Sequence, residues 1–280
     1  MGEIYTVTQR QRLIELNAEP DIVEREFDHA EERNETFRKI ENQYVKQNRE
    51  KLGKLLHEEH KPLALRIQDG LVRWLTEEAG FTQVTTPAII TAGMLEKMTI
   101  TKDHPLTEQV FWLDHKRCLR PMLAPNLYEV MRDLHKITKE PVRIFEVGSC
   151  FRKESQGAQH LNEFTMLNLV ELAGVEEGSQ MERLQELARG AMKAIGMDDY
   201  ELVTEKSEVY GETMDIVSGD MEFASGAYGP HFLDPKWGVF DPWVGIGFGI
   251  ERLAMKLGNH QTIKRVGKSI AYLDGAPLKL

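Results

Sequence analysis

Two arginines, two carboxylates, an aromatic ring and a bare run of glycines are the residues of this chain best suited to chemistry. Phe151-Arg152-Lys153-Glu154 is followed by His160-Leu161-Asn162-Glu163-Phe164 and, much later, by Gly245-Ile246-Gly247-Phe248-Gly249-Ile250-Glu251-Arg252. Side chains at i and i+2 of a strand share a face, so Arg152 and Glu154 are expected side by side. A guanidinium there can hold an α-phosphate and offset the charge that builds when a carboxylate attacks it. Glu154 can accept a hydrogen bond from an exocyclic amine of the kind adenine carries. Phe164, on the returning strand, can stack on that ring, and His160 can reach the distal phosphates. The alternating Gly245, Gly247 and Gly249 leave one strand face bare, often a sign that a ligand lies against the backbone. Arg252, in the first turn of the helix that follows, is placed to meet a γ-phosphate folded back over the sheet. Glu222 and Ser225, one strand earlier, could share a Mg²⁺ with the phosphates. Each group alone has a plainer reading: a surface salt bridge for Arg152 with Glu154, a core aromatic for Phe164, an ordinary hairpin strand for Glu222 and Ser225. Together they point to a nucleoside triphosphate held flat on an antiparallel sheet.

The elements that must position these groups follow from periodicity. The first sixty residues predict helices. Thr8 with Gln11 and Asp21 with Glu24 have capping-box spacing, and Phe37, Ile40 and Tyr44 recur at helical intervals. Pro62 opens a helix with Leu63, Ile67, Leu71 and Leu75 on one stripe, and Gly80 closes it. Strands are expected over 81–86, 142–152, 163–172, 212–217, 221–228 and 243–247, and helices over 125–137, 176–195 and 249–257. Ser218-Gly219-Asp220 is a turn signal between two of the strands. Hairpin-linked strands with interspersed helices make the fold class α+β, an antiparallel sheet flanked by helices. A helical segment, 1–60, precedes a larger unit, 61–280. No GxGxxG sits in a βαβ unit and no GxxxxGK[ST] occurs, so Rossmann and P-loop sites are not supported.

The chain has 280 residues, 41% hydrophobic and 29% charged, as expected of a soluble globular protein. No run is long and apolar enough to suggest a membrane span or a secretory leader. Cys118 and Cys150 lack CxxC spacing, so neither a disulfide framework nor a zinc knuckle is expected, which fits a reducing cytoplasm. The net charge of -10 argues on average against a nucleic-acid partner. Local charge differs: six basic residues fall within 38–54 against Glu41 and Glu50, and four basic residues with no acid within 256–268. Arg38, Lys46, Arg49, Lys264 and Arg265 are therefore candidate contacts to RNA phosphates, the alternative being solvated faces.

These segments resemble class II aminoacyl-tRNA synthetases: 80–87 their motif 1, which builds a dimer interface, 151–164 motif 2, and 245–252 motif 3. Within the class the chain most resembles the pyrrolysyl-tRNA synthetase family. The residues that carry this are Arg120-Pro121-Met122-Leu123-Ala124-Pro125-Asn126-Leu127-Tyr128, Ile144-Phe145-Glu146-Val147-Gly148, Glu163-Phe164-Thr165-Met166-Leu167-Asn168 and Val209-Tyr210-Gly211-Glu212-Thr213. The resemblance implies ATP with Mg²⁺ as the activating pair, a homodimer, and the amber-reading pyrrolysine tRNA as partner. It implies that Asn168 selects the substrate's side-chain amide, that Tyr210 caps the pocket, and that Leu127, Tyr128, Met131, Val170 and Trp243 wall it. It further places Leu123, Ala124, Ser225 and Gly245 at the amino acid, and Leu161, Met166 and Gly249 beside the nucleotide. Archaeal members often carry an additional N-terminal RNA-binding domain to which nothing here corresponds; the chain resembles the bacterial arrangement, where that domain is a separate protein. The alternatives are a class II synthetase for another bulky apolar amino acid such as phenylalanine, a synthetase-like paralogue that charges no tRNA, and an amide-forming ligase.

Overall fold

A computed structural model describes residues 2–153, 157–207 and 209–280; Glu154 lies outside the described residues. Its centre is a seven-stranded sheet. We number the strands β1 (Thr82–Gln83), β2 (Val142–Phe151), β3 (Glu163–Leu172), β4 (Glu201–Ser207), β5 (Gly211–Ser218), β6 (Met221–Gly229) and β7 (Trp243–Gly249). The spatial order is β1-β2-β3-β7-β6-β5-β4. Only the short β1 runs parallel to its neighbour; every other pair is antiparallel. The expected α+β class holds. The edge strand β4 had no clear sequence signal, because Thr204, Glu205 and Lys206 are exposed and the apolar alternation fails.

The pleat sorts the central strands into two faces. Leu167 and Leu169 of β3, and Val244, Ile246 and Phe248 of β7, point into one core. That core is roofed by α2 (Leu63–Arg73), α4 (Gln180–Ala194) and α5 (Ile250–Leu257) through Ile67, Leu71, Leu184, Leu187, Ala191 and Leu253. Gly80, with φ +74°, ends the segment that begins with α2, as its position suggests. On the opposite face α3 (Ala124–Thr138) covers one end of the sheet with Leu127, Tyr128 and Met131. The rest of that face is open.

The N-terminal segment is not wholly helical. Glu3–Ile4 pairs with Glu26–Phe27 in a two-stranded ribbon, and the long helix α1 (Ala30–Lys54) lays Phe37, Ile40 and Tyr44 against Tyr5, Leu13 and Phe27. The capping box is Thr6 with Gln9, two residues earlier than expected. The short helix Pro20–Val23 starts at Glu19 without a side-chain cap, so the Asp21–Glu24 box does not form. Pro20 sets that start, since its fixed φ suits the first helical position.

Arg265, expected to contact RNA, is buried at 3% exposure and serves as a cross-brace. Its guanidinium donates to the Gly275 carbonyl at 2.9 Å, to the Glu15 carbonyl at 3.0 Å and to the Ile14 carbonyl, and lies over the Tyr272 ring. Three carbonyl acceptors and an aromatic face make burial of this charge tolerable and tie the N-terminal segment to the C-terminal one. Both thiols are free and buried; burial pushes Cys118 up to about 11 and Cys150 up to about 12. Among the described residues no helix is long and apolar enough to cross a membrane.

A buried ion pair seats α3 on the sheet. Arg120 Nη1 donates to Glu146 Oε1 at 2.8 Å, with side-chain exposures of 5% and 2%. Glu146 also accepts from the Thr86 hydroxyl at 2.6 Å and its N–H at 3.1 Å; Asn126 Nδ2 donates to Thr86 Oγ1 at 2.6 Å and to the Pro87 carbonyl at 2.9 Å. Gly148 makes room for this: a Cβ there would sit 2.0 Å from Arg120 Nη2. Gly148→Ala is therefore expected to cost about 3 kcal/mol in chemical denaturation by breaking a buried pair. Gly53→Ala, where a Cβ meets nothing within 4 Å on a helix, should instead gain about 0.5–1 kcal/mol. Equal effects at both positions would remove the ion pair from this role.

Candidate active site

The open part of the second sheet face is a cavity of about 320 Å³. Its floor is the pleat. Phe164, Met166, Asn168 and Val170 of β3 alternate along one side, and Trp243, Gly245, Gly247 and Gly249 of β7 along the next; all eight line it. In register, Gly245 faces Val170, Gly247 faces Asn168 and Gly249 faces Met166. The glycines differ in what they permit. A Cβ on Gly247 would lie 2.8 Å from Asn168 Oδ1 and 3.0 Å from Met166 Cε, so its bareness lets Asn168 lie flat. At Gly249 the nearest atom to a Cβ would be 3.6 Å away, so there the space belongs to whatever enters the cavity.

Glu222 and Ser225 line the same cavity although three residues apart. On a regular strand that spacing puts two side chains on opposite faces. The register shifts between Glu222 and Ala224, leaving Phe223 as the extra residue of a bulge, and the shift returns both groups to the cavity side. Ser225 Oγ donates to Asp215 Oδ1 of β5 at 2.6 Å, a carboxylate that sequence reasoning missed. Arg252 Nη1 donates to the Glu222 carbonyl at 2.9 Å and lies 3.7 Å from its carboxylate. The Glu222 side chain keeps 48% of its exposure, yet its partial burial raises its pKa from the ordinary value, and Arg252 works against that rise. Among the described residues no group of three His, Cys, Asp or Glu could hold a metal. One carboxylate with one hydroxyl fits a Mg²⁺ whose other ligands are phosphate oxygens and water.

Strand β2 stops at Phe151, so the pleat does not aim Arg152 as expected. The loop does: its N–H donates to the Asn162 carbonyl at 3.0 Å and its Nε to the Pro121 carbonyl at 3.0 Å. The guanidinium carbon lies 5.3 Å from the Phe164 ring centroid, which brings cation and aromatic into one cleft. His160 and Leu161 line the cavity beside them, where the loop docks on the 263–267 turn through Ile263 N–H to the Ala158 carbonyl at 2.8 Å. Glu251 is buried and accepts the Thr165 N–H on both oxygens, at 2.9 and 2.8 Å, seating α5 on β3. Burial raises its pKa, partly offset by those bonds.

The far end of the cavity is apolar. Ala124, Tyr128 and Met131, on one stripe of α3, face it with Val170, Ala227 and Trp243. Leu127, expected to wall it, and Leu123, expected at the amino acid, do not line it: both are fully buried and pack behind the wall in the same apolar cluster. Behind the wall sits Asp234, 2% exposed, which accepts from the Tyr128 hydroxyl at 3.2 Å, the Trp243 indole at 2.9 Å and the His231 N–H at 2.5 Å. Burial raises its pKa and these donors oppose the rise. Tyr210, between β4 and β5, lines the cavity as well; burial, then the Asp234 charge, pushes its hydroxyl far above the ordinary tyrosine value. Asn168 lies on this part of the floor, and its buried Oδ1 has no hydrogen-bond partner among the described residues. Asp234 and His231 escaped sequence reasoning because no motif spacing links them to the strands they brace. Arg38, Lys46, Arg49 and Lys264 are exposed, the first three on α1.

This geometry can hold a triphosphate over Gly249 between Arg152 and Arg252, with an apolar side chain running past Asn168 toward Tyr128 and Trp243. A family model for the class II core domain of tRNA synthetases matches residues 48–273. Two solved structures of pyrrolysyl-tRNA synthetase from Desulfitobacterium hafniense superpose with TM-scores of 0.91 and 0.93, at 49% and 51% identity, covering 100% of this chain and 96% and 100% of theirs. More distant relatives are the O-phosphoserine–tRNA(Cys) ligases of Methanocorpusculum labreanum, 30% identical over 47% of this chain, and Methanococcus maripaludis, 24% identical over 78%. The chain spans 26% and 42% of the length of those two ligases. With the core-domain match over most of its length, and about half its residues shared with proteins it superposes on end to end, the chain belongs to the class II tRNA synthetases and, within them, to the pyrrolysyl-tRNA synthetase family.

Proposed function

We propose that this chain is a pyrrolysine–tRNA ligase. The amino-acid carboxylate attacks the α-phosphate of ATP; the bond to the β-phosphate side breaks and pyrophosphate leaves with its electron pair. The terminal 3′-hydroxyl of the amber-reading pyrrolysine tRNA then attacks the adenylate carbonyl, and AMP departs. Arg152 offsets charge at the α-phosphate and Arg252 at the distal phosphates. No protein base is needed for the first step, so the acceleration comes from positioning and electrostatics. Glu222 and Ser225 would hold the Mg²⁺ that accompanies ATP, which supplies further neutralisation of phosphate charge. Homodimerisation through 80–87, a cytoplasmic location and a separate N-terminal-domain protein that binds the same tRNA belong to the same proposal.

The observation that carries the choice of amino acid is the unpartnered Asn168 oxygen in an otherwise apolar end of the cavity. An acylated lysine brings an amide N–H and C=O to that anchor and apolar bulk to the wall. Free lysine would bury an ammonium there, which is costly. Phenylalanine would leave the anchor unmet, a heavier penalty than a missing methylene. The deciding experiment is charging of purified amber-reading tRNA with pyrrolysine, with phenylalanine and other canonical amino acids as controls. Charging by phenylalanine alone would overturn the assignment.

Three variants probe the parts. Arg252→Ala should lower ATP–pyrophosphate exchange about 10²- to 10³-fold with the helix content unchanged. Exchange near the original rate would take Arg252 out of the phosphate role. Gly247→Ala, which displaces Asn168, should lower kcat/KM for pyrrolysine about a hundredfold while the melting temperature barely moves; retained activity would dismiss Asn168 as the anchor. Lys46→Glu with Arg49→Glu should weaken tRNA binding and flatten its dependence on log salt by about two, one for each phosphate no longer neutralised, while adenylate formation continues. Loss of both activities together would indicate misfolding.

A further inference from the structure

His231 belongs to no motif, yet it joins three parts of the apolar end. Its Nδ1 accepts the Leu233 N–H at 3.3 Å, which leaves the ring proton on Nε2, and Nε2–H donates to the Tyr210 carbonyl. Its ring meets the Tyr210 ring edge-on, centroids 5.6 Å apart at 61°. Its backbone N–H donates to Asp234, the carboxylate that also holds Tyr128 and Trp243. Beside these contacts, the Val209 and Tyr210 N–H groups share the Ser207 hydroxyl at 3.3 and 3.2 Å.

We propose that His231 is a positioning residue for amino-acid selection: it fixes Tyr210 against the wall that Asp234 holds, and so sets which side chains the cavity accepts. The inference rests on the reading of this end as the amino-acid subsite. An apolar pocket separates similar side chains by shape, and a wall held in place before binding adds no ordering cost when substrate arrives. Release of Tyr210 makes each substrate bear that cost. The phosphate-facing groups Arg152, Arg252 and Glu222 stand at the other end, so nucleotide binding is spared.

The test compares His231→Ala, His231→Asn and His231→Gln. Gln carries its amide N–H as many bonds from the backbone as Nε2 and keeps the donor to Tyr210; Asn reaches only as far as Nδ1 and does not. In exchange assays the Ala and Asn variants should raise KM for pyrrolysine about three- to tenfold, the span of one intramolecular hydrogen bond. KM for ATP should stay unchanged, and Gln should restore the wild-type value. A rise in both KM values together, or no difference among the three, overturns the proposal. Hydrogen exchange on the ligand-free protein gives a readout that needs no substrate. The Val209 and Tyr210 amides should exchange faster in His231→Ala while those of β3 keep their protection; unchanged exchange also overturns the proposal. A wild-type enzyme that ignores pyrrolysine would overturn the assigned reaction, and the exchange rates would still decide whether His231 holds Tyr210.

Discussion

The two-residue alternation of an antiparallel sheet is the constraint on which the site depends. Strands β3 and β7 each send every second side chain to one core and the others to the cavity, so core and floor are written into the same two stretches, of ten and seven residues. A shift of register by one residue would exchange Asn168 and Val170 for Leu167 and Leu169. The large apolar cluster beneath α2, α4 and α5 therefore also fixes the site's register. One departure from the pleat is needed, the bulge at Phe223, and it is what turns Glu222 and Ser225 to the same side.

The other requirement is that buried charge be met. Glu146, Glu171, Glu251, Asp215 and Asp234 are all buried at 7% exposure or less. Glu171 is held by Arg143 at 2.6 Å and Arg183 at 2.8 Å, Glu146 by Arg120 and Thr86, Glu251 by the Thr165 N–H, and Asp234 by three neutral donors. Such groups contribute little to net stability when compared with well-packed apolar residues, but removing one partner strands a charge. Asp215 accepts from Ser225 on the next strand, and each of the other four joins segments distant in sequence. They hold the loops and helices around the sheet in one arrangement, whereas apolar contact alone would tolerate several.

Much of this was legible in the chain. Helix α3, strands β2, β3, β5 and β6 and the helix after the glycine run fall within a few residues of their expected places, because apolar alternation and the Gly and Pro signals are local. The grouping of Arg152, His160, Phe164, Glu222, Ser225 and Arg252 around one cavity also follows the motifs. What could not be read is what depends on contacts between distant segments. Arg265 looks like any surface cation until the carbonyls of Ile14, Glu15 and Gly275 surround it. Leu123 and Leu127 differ from Ala124 and Tyr128 only by their angle around a helix axis, and no spacing reveals which stripe faces a hollow. Thr6 and Thr8 carry equal capping-box spacing; the choice of Thr6 rests on where the ribbon Glu3–Ile4 releases the chain.

The placement of Asp234 bears on selectivity in a way that composition hides. A carboxylate directly behind an apolar wall would ordinarily invite an ammonium and make the cavity a lysine site. Here its oxygens are taken by the Tyr128 hydroxyl, the Trp243 indole and the His231 N–H, it is almost wholly buried, and burial already biases it toward the neutral form. Its oxygens meet the wall's own donors, and what faces the cavity is the Tyr128 and Trp243 rings. A glycine at position 229 is part of the same device, since a Cβ there would fall 1.9 Å from the Trp243 indole nitrogen and 2.6 Å from Asp234 Oδ2. The acid orients neutral groups of the wall, so a carboxylate can sit directly behind an apolar surface without presenting its oxygens to the cavity.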